Sequence, residues 1–370
     1  MFNVLFIDDD SSMLHALQRM AKRLKPEWNF LAEQDASRWN KLLTEQIKLD
    51  LVICDYQMPN MNGVKVLAEV SQTQPSAIRA LLTGDPTEEV ILTSGKIAHF
   101  ILSKPFNEQD IVYLFTCIER IHALPFSNSV REILIASSSL LPQPDLVKQV
   151  RVILENDKFR VSDIIAVISH DPLIVARILQ LSNSAFFGFN KSTLSIEEAV
   201  KRLGVRLTCN IISAIAVEQA TAALLERAEH IRINEHAFSV ASYTKRLGEL
   251  LDLSKGVQEE LFATALLSAI GELVISTSIW QGKYANTFAD WPRYKLTAAV
   301  SAYFLTSWGY SEQVCQTLLW SAAPNWVYSR QNLSLLLFLA KCAAENNGKI
   351  PPNVLDLFSD PQLRQQLQEL

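Results

Sequence analysis

The stretch LDLVICDYQMPNMNG, residues 49–63, decides the fold, because a short apolar run in it stops at a carboxylate, Asp55. Three further apolar runs also end in polar residues. VLFI (4–7) stops at Asp8, Asp9 and Asp10, AIRALL (77–82) stops at Thr83, Gly84 and Asp85, and HFILS (99–103) stops at Lys104 before Pro105. Between the runs lie amphipathic patterns, at 12–24, 63–72 and 107–122, which are read as helices. Strand-like runs alternating with helices predict a doubly wound α/β domain with a parallel sheet. In such a sheet the carboxyl ends of the strands share one edge, so residues about fifty positions apart meet in one crevice.

The residue types gathered there suit metal-assisted phosphoryl transfer to a carboxylate. Asp8, Asp9 and Asp55 offer hard oxygen ligands of the kind Mg²⁺ takes alongside phosphate and water. Asp55 is then placed to attack a phosphoryl group, with Lys104 neutralising its oxygens and the Thr83 hydroxyl bonding another, since this chemistry is mostly positioning and electrostatics. A single Asp after a strand is more often a turn residue or helix cap. Their joint occurrence in this order carries the reading.

The stretches VLFIDDDSSMLHAL, LVICDYQMPNMNGVKVL, ALLTGD and ILSKPF resemble the receiver domains of two-component response regulators, over roughly residues 1–122. The resemblance implies a flavodoxin-like fold with a five-stranded parallel sheet. It implies Asp55 as phosphoacceptor, Asp8 and Asp9 as the acidic metal-binding pair, Thr83 as the hydroxyl residue and Lys104 as the lysine of the site. It further implies a metal ligand in the backbone carbonyl of Gln57, a cis bond before Pro105, and no such role for Asp10 or Asp85. The family usually carries Tyr or Phe three residues before the lysine, as a switch partner of the hydroxyl residue. Here that position is Ile101, read as a buried strand residue, while Phe100 alternates to the opposite face.

Past residue 123 the strand-like runs cease. ALPFSNS reads as a linker, and from Val130 apolar residues recur at three- and four-residue spacing, as in LVKQVRVIL and LIVARILQL, which predicts an all-α second domain. LPQP at 141–144 interrupts any continuous helix, and Gly188 closes the AFFG turn. His170-Asp171 is a tempting metal-site dipeptide. Pro172 and the helical pattern after it instead make Asp171 an N-cap and Pro172 the first helical residue.

The segments LPQPDLV, VSDIIAVISHDPLIVARILQLSNSAFFGF and SIEEAVKRLGVRLTCNIISAIAV resemble the HDOD domain of bacterial signalling proteins, which is related by fold to HD-type phosphohydrolases. In those hydrolases a metal-binding His-Asp pair sits inside a pattern like LLHDIGKLVL. This chain has LLSAIGELVI, with Ser268 and Ala269 at the ligand positions, where neither side chain replaces an imidazole or carboxylate on a divalent ion. WSAAP (320–324) also lacks a ligand, and His236 in EHAFSVASYTKRL is read as structural or as a contact residue.

Composition bounds the rest. At 370 residues with 49% hydrophobic content the chain is long enough for two cores. No leader pattern and no unbroken apolar stretch of membrane-spanning length are evident, so a cytoplasmic protein is expected. Five cysteines without CxxC spacing fit reduced core thiols, Cys54 among them. A net charge of −5 argues against nucleic acid, and the local cluster Lys201, Arg202 and Arg206 follows Glu197 and Glu198 as a solvated helix face would. Trp280, Trp291, Trp308, Trp320 and Trp326 are read as core, with their lobe the first place to look for a docking surface.

The sequence therefore predicts a receiver over 1–122, a linker over 123–130, a helical HDOD domain over 131–335 and a C-terminal helical extension over 336–370 packed on or following the HDOD domain. The expected function is a bacterial response regulator. A sensor histidine kinase phosphorylates Asp55 with Mg²⁺, and a noncatalytic HDOD domain answers through protein contacts, with a cyclic-dinucleotide signalling enzyme as one candidate effector and a phosphorylation-dependent homodimer as a further state. The alternatives are an HD-type metal phosphohydrolase of cyclic dinucleotides or nucleotides, a phosphate sink, and a decoy that imitates an active phosphodiesterase.

Overall fold

The computed structural model describes residues 1–42, 47–59, 61–84, 97–137, 144, 146–147, 149–150, 153, 160–169, 171–183 and 193–370. Asp85, His170, Gly188 and residues 141–143 of the LPQP stretch lie outside these. The chain divides into two compact units, Met1–Pro142 with Thr306–Tyr310, and Gln143–Leu305 with Ser311–Leu370.

The first unit carries five parallel strands, β1 (Asn3–Ile7), β2 (Asn29–Glu33), β3 (Leu51–Asp55), β4 (Ile78–Thr83) and β5 (Phe100–Ser103), in the order β2-β1-β3-β4-β5. Its helices are α1 (Ser11–Leu24), α2 (Gly63–Thr73), α3 (Glu108–Ala123) and α4 (Asn128–Ser137), with a 3-10 segment at Ala36–Leu42. Strand order reverses direction between β1 and β3, which opens the crevice at their carboxyl ends. Alternation sorts the strand side chains to two faces. Leu5, Ile7, Val52, Cys54 and Leu81 pack with Val66, Leu67 and Val70 of α2, and Phe6 lies on the other face with Phe30, Trp28 and Phe115. Ile101 is half-buried against the α2-side cluster, while Phe100 is buried edge-on to Tyr113, so the two take opposite faces as strand alternation requires.

Capping explains where the helices start. Asp10 accepts from the amides of Ser12 and Met13, Asn62 from Lys65, and Asn107 with Asp110 closes a capping box on α3. The linker is shorter than the sequence suggests. Helix α4 begins at Asn128, and Arg131 on its first turns donates to the carbonyls of His122, Leu124 and Phe126, tying the connection down.

The second unit is helical throughout its described residues. Helix Arg227–Leu250 packs against helices Lys255–Leu267 and Leu333–Glu345, and shorter helices including Val205–Thr221, Ala269–Ser276, Arg293–Ser307 and Glu312–Trp320 complete the core. The boundary expected at residues 335 and 336 falls inside helix Leu333–Glu345, whose Leu335, Leu336, Leu337, Leu339 and Ala340 are fully buried, so the C-terminal segment belongs to the same core. Gly271 explains how two of these helices approach closely. A Cβ there would lie 2.0 Å from the Thr297 carbonyl oxygen, so helix Ala269–Ser276 could not sit so near helix Arg293–Ser307 with any larger residue. Trp280 is a core residue as expected, Trp308 in the Thr306–Tyr310 segment of the first unit is also buried, and Trp320 and Trp326 are exposed by 46% and 37%. No helix among the described residues is long and apolar enough to cross a membrane.

Candidate functional site

β1 delivers Asp8 and Asp9, β3 delivers Asp55, β4 delivers Thr83, and the residue after β5 is Lys104, so one sheet edge collects all five. The ladder holds them in place. Tyr56 N–H donates to the Leu82 carbonyl at 2.8 Å, and Lys104 N–H to the Thr83 carbonyl at 2.6 Å. The Lys104-Pro105 bond is cis.

Carboxylate oxygens of Asp8, Asp9 and Asp55 lie within 4.8 Å of one another. Asp8 and Asp55 are only 2% and 6% exposed, which is unusual for acids without compensation, while Asp9 faces solvent. At an effective dielectric near 20, two such charges repel by roughly 3 kcal/mol. The Lys104 ammonium supplies part of the compensation, at 2.5 Å from Asp55 Oδ1 and 3.0 Å from Asp8 Oδ2. Burial nevertheless pushes the Asp55 carboxyl above the usual range, with Lys104 opposing and Asp8 adding to the shift. For Lys104 itself burial works against the charge, but the hydrogen bonds and charges of Asp55 and Asp8 win and hold its pKa above that of an ordinary lysine. An acid-rich pocket of hard oxygen donors, still short of positive charge, fits a bound divalent metal ion.

Gly63, which the sequence reading passed over, shapes the site from below. It starts α2, donates to the Tyr56 carbonyl at 2.9 Å, and sits so close to Asp55 that a Cβ would lie 2.1 Å from the Asp55 carbonyl oxygen and 2.8 Å from Leu81 Cδ1. The signal was present as an N-cap Asn62 directly before a glycine, a residue otherwise poor in a helix. Asp10 is spent on its cap. Cys54 is fully buried, and burial first, then the Asp55 and Asp8 charges, raise its thiol pKa well above normal, which makes it a packing residue. Thr83 is wholly buried and Gln57 is exposed in the bend after β3.

In the second unit Asp171 caps helix Pro172–Ser182, accepting from Ile174 N–H at 3.2 Å, and also accepts from Gln219. Ser268 ends helix Lys255–Leu267 with its hydroxyl on the Ala265 carbonyl, and Ala269 is buried. One turn on, Glu272 is held by Arg293 and by the Thr297 hydroxyl. His236 is exposed on helix Arg227–Leu250. Lys201 pairs with Glu197 and Arg202 with Glu198, so two of the three clustered cations are neutralised on their own helix.

The parallel sheet, the strand order and this acidic pocket define the first unit as a response regulator receiver domain, and the family model of that name matches residues 4–116. The HDOD domain model matches residues 140–324, so the chain belongs to the HDOD family, with a receiver domain at its front. An uncharacterized protein of Treponema pallidum is 42% identical over 76 residues, 20% of this chain and 15% of that protein. The transcriptional regulatory protein CpxR of Klebsiella pneumoniae is 28% identical over 120 residues, 32% of this chain and 50% of that one. These matches span half or less of the curated relatives' own length. Among solved structures, the signal receiver domain of an HD domain-containing protein from Pseudomonas fluorescens Pf-5 is 30% identical, covering 31% of this chain and 90% of that one at a TM-score of 0.29. A putative phosphohydrolase from Shewanella amazonensis is 21% identical, covering 69% of this chain and 88% of that one at a TM-score of 0.44.

Proposed function

We propose that this chain is a two-component response regulator whose phosphoacceptor is Asp55 and whose HDOD domain is a noncatalytic output module. The observation that carries the reading is the Lys104 ammonium bridging Asp55 and Asp8 beside Asp9 at the switch point of the sheet. A histidine kinase is the phosphodonor a receiver domain implies. An Asp55 oxygen attacks phosphorus, the bond to the donor's nitrogen breaks, and an acyl phosphate forms on Asp55. Lys104 is freed from one carboxylate to pair with a phosphoryl oxygen, and the Thr83 hydroxyl, at the end of the adjacent strand, donates to another. Asp8, Asp9, Asp55 and the Gln57 carbonyl would hold Mg²⁺, which would supply charge neutralisation at this centre.

Transfer of Lys104 and Thr83 to the phosphoryl group is the event that biases the receiver between two states, and the bias cannot exceed the difference in how those states hold the group. Ile101 has no ring to turn, so the switch at this position is a repacking against the α2-side cluster. The output is protein contact, with a cyclic-dinucleotide signalling enzyme as the first effector to try. Incubation with Mg²⁺ and acetyl phosphate, borohydride reduction and peptide mapping should place the modification at Asp55, and modification elsewhere would refute the assignment. Pull-downs with phosphorylated and unphosphorylated chain separate an output module from a phosphate sink, and metal analysis of purified HDOD-containing chain tests the phosphohydrolase alternative.

A further inference from the structure

Among the described residues of the second unit, Lys341 is a half-buried lysine with a single polar partner. Lys341 lies on helix Leu333–Glu345 and is half-buried, and its ammonium makes one hydrogen bond, to Ser321 Oγ at 2.9 Å. Ser321 is 2% exposed and its own hydroxyl proton goes to the Leu318 carbonyl at 2.7 Å, so its oxygen is fixed as an acceptor. An ammonium has three donors, and no carboxylate among the described residues comes within ion-pair distance of this one. The other cations around it are treated differently. Arg232 pairs with Glu229 at 2.7 Å and Arg293 with Glu272 at 2.6 Å. Glu345, one turn further along the same helix, is exposed and makes no ion pair with Lys341.

Desolvation without a counter-ion depresses the Lys341 pKa to about 8, with the Glu345 charge opposing. A partly buried ammonium with two open donors destabilises the fold unless something completes it. A small oxyanion would supply both the missing acceptors and the counter-charge. His236 lies on helix Arg227–Leu250, which packs against the helix that carries Lys341, and is the candidate second donor.

We propose that Lys341, held by Ser321 and accompanied by His236, is an oxyanion-binding subsite of the HDOD unit that takes the phosphate or carboxylate group of a small ligand. The site is distinct from the receiver pocket and needs no metal. It gives the HDOD unit a chemical input of its own, alongside the phosphorylation signal at Asp55.

The test uses the full chain in EDTA, so that the receiver pocket carries no metal, with ionic strength matched by chloride. Inorganic phosphate and, separately, acetate are titrated while the melting temperature of the helical unit is followed. Wild type should gain thermal stability saturably with phosphate, Lys341→Arg should retain the gain, and Lys341→Met should lose it. Without anion, Lys341→Met should melt higher than wild type, since it removes an incompletely paired ammonium, whereas a merely structural lysine would leave the variant less stable. Comparable gains with acetate assign a carboxylate ligand, and a gain with phosphate alone assigns a phosphoryl group. Equal responses of wild type and Lys341→Met, or a lower melting temperature of the variant without anion, would overturn the subsite.

Discussion

Replacing Gly63 by alanine should damage both the receiver's stability and its chemistry through one contact. The new Cβ would lie 2.1 Å from the Asp55 carbonyl oxygen, 2.9 Å from its carbon and 2.8 Å from Leu81 Cδ1. Relief needs the start of α2 to retreat by about 1 Å, because a carbon and a carbonyl oxygen do not rest much closer than about 3 Å. Overpacking costs about 1–3 kcal/mol, and the retreat strains the 2.9 Å bond from Gly63 N–H to the Tyr56 carbonyl, worth about 1 kcal/mol. Helix propensity returns at most about 1 kcal/mol. A net loss of about 2 kcal/mol follows, or roughly a thirtyfold fall in hydrogen-exchange protection of peptides from β3 and α2, which report this unit separately from the helical one. Displacement of the Asp55 backbone should also slow phosphorylation by acetyl phosphate, by up to about a hundredfold for a shift of this size. Gly256→Ala is the control, since a Cβ there meets nothing within 4 Å, and it should be neutral or slightly stabilising. Wild-type protection and wild-type phosphorylation in Gly63→Ala would refute the close-contact argument.

Three further outcomes follow from the charges of the first unit. Burial and then Arg131 push the His122 pKa down to about 4, and burial and then Arg79 hold His99 well below the usual imidazole range. Both bind protons more weakly folded than unfolded, so the receiver should lose stability as pH falls below about 6.5, by up to about 1.4 kcal/mol per pH unit for each histidine. His122→Gln should flatten that slope between pH 6.5 and 4, and an unchanged slope in exchange or melting data would contradict the assignment. Mg²⁺ at ten times its dissociation constant should stabilise the receiver by about 1.4 kcal/mol, an effect that Asp8→Asn should abolish in thermal melts. Lys104→Met leaves Asp8 and Asp55 facing each other. Without Mg²⁺ it should cost about 2 kcal/mol, limited because one carboxyl protonates instead, and Mg²⁺ should restore much of it.

The sequence made the site legible because each of its residues ends a strand, and a parallel sheet brings strand ends together whatever the spacing between them. β1, β3 and β4 were visible as apolar runs because they are buried almost throughout, and β5 because Phe100 and Leu102 are buried. β2 was not visible as a run, because NFLAE lies at the sheet edge, half-buried along its whole length, and carries no strong pattern. Gly63 escaped notice because its role is a clearance between backbone atoms, which no residue pattern encodes. The linker came out shorter than its composition suggested, since Asn128 and Ser129 are good helix starters as well as good linker residues. Helix Leu333–Glu345 runs across residues 335 and 336 because a continuous buried helix has no punctuation there. Lys341 stayed hidden inside SLLLFLAKCAA, where a lysine in an apolar run reads as a polar interruption until its neighbours are known.

Intact-mass measurement after incubation with Mg²⁺ and acetyl phosphate tests the central claim most directly, with Asp55→Asn and an EDTA sample alongside. Addition of one phosphoryl group to the wild type, absent from both controls, is the expected result. No addition to the wild type under any phosphodonor including histidine kinases, or equal addition to Asp55→Asn, would contradict it.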